Sequence, residues 1–122
     1  MTELVLPKID KTIINKKEYI FKKLAKLINP ENVLSHADEI KPYETDALAA
    51  YKQTPLAVVM PENTKEVSNI LKFCYQENIK VVPRGAGTGL SGGALPLQDA
   101  LLISLTKFNK ILEIDFENKC VV

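Results

Sequence analysis

One stretch of this chain gathers its phosphate-binding chemistry. All five glycines fall between Gly85 and Gly93, and the sole arginine, Arg84, stands directly before them in a chain that otherwise carries its positive charge on lysine. The stretch reads Pro83-Arg84-Gly85-Ala86-Gly87-Thr88-Gly89-Leu90-Ser91-Gly92-Gly93-Ala94, and no acidic residue follows until Asp99. Closely spaced glycines let the backbone take positive φ and bring N–H groups near a ligand without Cβ interference. Successive inward-turned N–H groups make a concave nest for phosphate. Thr88 and Ser91 add hydroxyl donors, and a guanidinium can grip an anion through two nitrogens where lysine offers a point charge. A flexible turn would explain one or two glycines; five beside two hydroxyls and the only arginine favour an anion.

The kind of phosphate ligand is less plain from spacing alone. Gly87-Thr88-Gly89-Leu90-Ser91-Gly92 fits the G-x-G-x-x-G string of dinucleotide-binding folds. That fingerprint requires a strand before it, a helix directly after it and a later acidic residue, for which Glu113 or Asp115 stands at a plausible distance. Val81-Val82 supplies the strand, but Gly93 and Pro96 interrupt the place of the helix. The Walker-type P-loop fails as well, because no lysine followed by Ser or Thr closes the run.

The elements that position this stretch follow from periodicity. Residues 1–14 show no clear period and read as a tail or packing strap. Asn15 and Glu18 form a capping-box pair for a helix whose apolar stripe is Ile20, Phe21, Leu24, Leu27 and Ile28, ended by Asn29-Pro30. Its lysines read as a solvated face. Val33-Leu34 is a short strand in an otherwise irregular region, where His36, the only histidine, reads as a surface residue and not as a base or metal ligand. Leu56 to Met60 is a buried strand. Asn63 with Glu66 caps a helix with Val67, Ile70, Leu71 and Cys74 inward, and Asn78 turns the chain into the strand Lys80-Val81-Val82. Strand, helix and strand in this order predict a right-handed parallel pair with the glycine loop at the C-terminal end of the second strand. Leu101–Leu105 and Ile111–Asp115 are strands joined by a turn around Asn109, and a third begins at Cys120 after a turn at 117–119.

Composition bounds the classes. A chain of 122 residues makes one domain that buries roughly two-thirds of its unfolded surface. A net charge of +1 gives no nucleic-acid patch, and no apolar run is long enough to span a membrane. The absence of a signal-like N-terminus, together with two widely separated cysteines outside any C-x-x-C, predicts reduced thiols in a cytoplasmic protein. No metal-ligand spacing occurs.

With its flanks, the glycine stretch resembles the flavin pyrophosphate loop of the FAD-linked oxidases related to vanillyl-alcohol oxidase and p-cresol methylhydroxylase. Within them it is most similar to glycolate oxidase GlcD-type subunits and D-lactate dehydrogenases. The likeness extends through Pro42-Tyr43-Glu44-Thr45-Asp46, Pro55-Leu56-Ala57-Val58-Val59-Met60-Pro61 and Phe108-Asn109-Lys110-Ile111-Leu112-Glu113-Ile114-Asp115. It implies an α+β fold: the N-terminal part of a PCMH-type FAD-binding domain, a small mixed sheet with flanking helices. Residues 1–52 would be a helical and irregular segment and residues 53–122 the front of the flavin domain, which the chain leaves at an apolar strand.

Carried over by position, the cofactor-binding residues are Pro83, Arg84, Gly85, Ala86, Gly87, Thr88, Gly89, Ser91 and Gly92. No catalytic residue carries over. Some members of this family attach FAD through a histidine near the loop, and this chain has none there, which implies non-covalent FAD. The resemblance implies an oxidoreductase that moves a hydride from a small 2-hydroxy acid to FAD, completed by a missing C-terminal portion or a complementary subunit. Two other readings stay open: an inactive truncated remnant, and a non-catalytic nucleotide- or phosphate-binding module.

Overall fold

A computed structural model describes residues 5–122. Its centre is a four-stranded sheet in the order β1-β2-β4-β3, formed by β1 (Val33–Leu34), β2 (Ala57–Val59), β3 (Lys80–Arg84) and β4 (Ala100–Ser104). β1 runs antiparallel to β2, while β2, β4 and β3 are mutually parallel. All five residues of β4 are buried. A strand apolar at nearly every position needs cover on both faces, which only a central place in the sheet provides. The expected neighbouring pair of β2 and β3 is therefore corrected: the two are parallel, but β4 lies between them.

Side-chain alternation along the strands divides the interior into two layers. Ala57, Val59, Leu101 and Ile103 face a cluster with Ile13, Ile20, Leu24, Ile28, Ile70, Phe73 and Cys74, which come from α1 (Lys11–Asn15), α2 (Lys17–Leu27) with its C-cap residue Ile28, and α4 (Thr64–Glu77). Val58 and Leu102 face the other way, onto Ile40 at the end of α3 (Ala37–Ile40) with Leu34 and Tyr43 beside it. Residues on both sides of the glycine loop thus build the two layers, with β4, which follows it, at their centre.

Several local expectations are corrected. The Asn15–Glu18 capping box does not form, because Asp10 starts a helix earlier, accepting from the Thr12 N–H at 2.8 Å. Burial of Ile13 draws that extra turn into the core, so the supposed strap is ordered from residue 11; residues 1–4 lie outside the described residues. Asn15 ends α1 and Lys16 joins it to α2 without a side-chain cap. On α4, Asn63 caps as expected, accepting from Glu66 N–H at 2.9 Å, but the Glu66 carboxylate takes the Glu62 N–H in place of that of Asn63. Phe73 is buried where Leu71 was expected; Leu71 is 45% exposed. Asn78 ends α4 in the left-handed region, φ 56°, and turns the chain into β3 as expected.

The strand expected over Ile111–Asp115 shrinks to β5 (Ile114–Asp115). It pairs antiparallel with β6 (Cys120–Val121) in a separate two-stranded sheet and not with β4.

Candidate functional site

β3 runs through Pro83 and Arg84 and releases the chain at Gly85, the C-terminal end of a parallel strand, where α/β folds place their ligands. Residues 85–99 then return as β4 with no helix on the way. Gly87 and Gly92 have φ of 72° and 74°, the region that disfavours a side chain. At Gly87 a Cβ would also stand 2.5 Å from Arg84 Cζ and 2.8 Å from Nε, and closer still to Nη2, so the end of the Arg84 side chain would have to move aside. At Gly92 the same atom would meet only Leu48 Cδ2, at 3.7 Å, so conformation and not crowding decides.

The donors of the loop are unspent. Among the described residues, no N–H from Gly85 through Ala94 gives a hydrogen bond to the chain, and Leu95 N–H to Gly92 O, 3.2 Å, is the first to do so. The side chains of Thr88 and Ser91 are exposed and likewise make no hydrogen bond among the described residues. Most of the loop is exposed, so these amides face solvent, and a consecutive run of donors left free by the chain suits an anion with several acceptor oxygens. The nearest acidic residue in sequence, Asp99, is committed elsewhere, to Lys80 Nζ at 2.6 Å and to the Asp10 N–H at 2.7 Å.

Arg84 occupies an unexpected place. By strand alternation it shares a face with Val82, on the side of the sheet where Tyr43 packs. Its Nη1 donates to Thr45 O at 2.6 Å, and its guanidinium lies 5.5 Å from the centroid of the Tyr43 ring. Tyr43 and Thr45 were absent from the sequence-derived site, and at a separation of 39 residues no spacing signal could have brought Thr45 to Arg84. Next to it, Asp46 is 5% exposed; its Oδ1 accepts from Leu48 N–H, and its Oδ2 has no partner among the described residues. Leu48, Tyr51, Val82, Ser91, Gly92 and Leu95 line a cavity of about 300 Å³ beside the second half of the loop.

Residues 55–122 match the family described as FAD binding domain. The chain belongs to that family. It is 48% identical over 83 residues to the glycolate oxidase subunit GlcD of Escherichia coli K12, covering 68% of this chain and 17% of that one. It is 38% identical over 119 residues to the D-lactate dehydrogenase of Anaerostipes hadrus, covering 97% of this chain and 23% of the other. The crystal structure of p-cresol methylhydroxylase with substrate bound superposes with a TM-score of 0.71 at 27% identity, over 92% of this chain and 22% of that one. The α+β architecture expected from the resemblance is thus the PCMH-type fold, and the chain spans less than a quarter of the length of each of these relatives.

FAD is accordingly the cofactor of this family member, and the residues present suit it. A dinucleotide offers two adjoining phosphates, and the loop offers consecutive free amides, two positive-φ glycines and two exposed hydroxyls, on Thr88 and Ser91. His36, the only histidine, is exposed ahead of α3, where its N–H donates to Glu39 Oε2 at 3.3 Å. Among the described residues, no cluster of acidic, histidine and cysteine side chains forms a metal site, and no helix is long and apolar enough to cross a membrane.

Proposed function

We propose that this chain is the flavin-binding part of an oxidoreductase acting on the CH–OH group of a small 2-hydroxy acid, of the glycolate oxidase or D-lactate dehydrogenase type. The observation that carries the reading is the run of free amides at the end of β3, in a chain whose curated relatives include the two proteins just named.

In this reading Gly85, Ala86, Gly87, Thr88, Gly89, Ser91 and Gly92 surround the pyrophosphate, with main-chain amides and the Thr88 and Ser91 hydroxyls as donors. Pro83 and Arg84 fix the base of the loop. FAD supplies the hydride acceptor when bound. The chain's own residues bind and orient the dinucleotide, and the preformed loop reduces the ordering cost of doing so. Attachment is non-covalent, since no histidine stands in or beside the loop. Residues 53–122 form the flavin-binding segment, and residues 1–52 a preceding segment whose helices α1 and α2 pack on it. The substrate-facing residues belong to the remainder of a longer enzyme or to a complementary subunit. The two free cysteines support a reducing compartment, the cytoplasm.

The test is the visible absorption spectrum of the purified chain after mixing with FAD and removing the excess. Retained flavin absorbance that leaves with the supernatant on acid precipitation supports the reading. A colourless protein with native helix content, or one that prefers ADP to FAD, overturns it.

A further inference from the structure

We propose that Arg84 is a positioning residue: a clamp that ties the glycine loop to the segment from Tyr43 to Gln53 and holds it in its binding shape. The phosphate grip is left to the loop's amides and hydroxyls.

Four contacts carry this. The guanidinium donates through Nη1 to Thr45 O at 2.6 Å, faces the Tyr43 ring, and fills the space that a side chain on Gly87 would need. Leu48, from the same segment, approaches Gly92. The segment therefore reaches Gly87 through the Arg84 side chain it holds and lies beside Gly92 through Leu48, and these are the two glycines of positive φ. It is itself tied down: Thr45 Oγ1 donates to Tyr51 O at 3.0 Å, Gln53 N–H to Glu44 O at 2.8 Å, and Leu48 N–H to Asp46 Oδ1 at 2.9 Å. Presenting both Nη atoms to a phosphate would break the Thr45 bond and strip the cover from Gly87. Lysine could replace the charge and one hydrogen bond, but it has no plane to lay between a ring and a backbone.

The clamp's contacts lie within the chain, and only its effect on affinity rests on the flavin-binding reading. The experiment uses the whole chain with Arg84→Lys, Arg84→Gln and Tyr43→Leu, the last removing the stacking partner without touching charge. In the flavin-free protein we expect amide exchange at Leu48 and Gln53, and subtilisin cleavage within residues 85–93, to speed up about tenfold in all three variants while the core amides of β4 stay protected. FAD should bind about tenfold more weakly to each, with the salt dependence of binding unchanged from the wild type.

Three results would overturn the clamp: flavin-free exchange and cleavage that match the wild type in Arg84→Lys and Arg84→Gln, wild-type FAD affinity in Tyr43→Leu, or a flattened salt dependence in Arg84→Gln, the mark of a direct phosphate contact. A wild-type chain that retains no FAD overturns the cofactor reading alone, and the flavin-free exchange and cleavage still decide the clamp.

Discussion

Lys80 Nζ stands 2.6 Å from Asp99 Oδ2, so the first residue of β3 is pinned to the residue that precedes β4, its parallel neighbour. The glycine loop opens the connection between these two strands beyond Arg84, and this pair fixes the far end of that connection, where it enters β4. The same carboxylate accepts the Asp10 N–H, and Lys80 Nζ also donates to Lys8 O at 3.1 Å, which fastens the irregular segment ahead of α1 across both. Burial by itself would raise the Asp99 pKa, but the hydrogen bond from Lys80, the Asp10 N–H and the Lys80 charge together outweigh it and hold the carboxyl below its ordinary value.

Because the folded-state pKa is depressed, the stabilisation from Asp99 is fully present above the unfolded carboxylate pKa and is lost as pH falls through the folded one. Asp99→Asn is expected to lower unfolding free energy at pH 7 by about 1–3 kcal/mol, the cost of weakening buried charge-assisted bonds. Denaturant midpoints measured from pH 7 down to pH 2 should show the gap between wild type and variant narrowing on the acid side. A gap that is constant with pH would exclude this carboxylate as the source.

Glycine at position 87 is favoured by its left-handed φ, and any side chain there would also push the Arg84 guanidinium aside. Gly87→Val should weaken FAD binding about tenfold or more, since a left-handed β-branched residue costs roughly 1–2 kcal/mol and also displaces the Arg84 guanidinium. Gly93→Ala is the control: open space surrounds the added methyl, and φ there is not in the left-handed region. Flavin fluorescence titration, with circular dichroism to confirm an unchanged helix signal, reads both. Equal affinity of the two variants would reduce the loop to a simple turn.

The two thiols should differ sharply in reactivity. Cys74 is 1% exposed, and burial pushes its thiol up to about 11, whereas Cys120 is exposed. Since the thiolate is the nucleophile, Ellman's reagent at pH 8 should label one thiol promptly and the second at least about a hundredfold more slowly, until denaturant is added. Two thiols labelled at the same rate would contradict the packing of α4 on the sheet.

Legibility from sequence varied with the range of the determining interaction. Asn63 and Asn78 announce the ends of α4 because capping and a left-handed turn are settled within a few residues. Asn15 misleads for the same reason in reverse: its local pattern is sound, but burying Ile13 gains more than the cap, and Asp10 takes the role. Phe73 displaces Leu71 from the core because the helix rotates to bury the larger side chain against the sheet.

The amino-acid sequence by itself determined the loop's chemistry: where the glycines lie, which hydroxyls accompany them, that a strand precedes and no helix follows. These are properties of consecutive residues. Tertiary structure alone decided that β4 enters between β2 and β3, and that Arg84 meets Thr45 and Tyr43, because both depend on which distant surfaces are buried together. A central strand is chosen by the apolar cover available on its two faces, and a guanidinium by the acceptor and ring that the opposite layer presents. Neither partner leaves a mark near the residue that needs it.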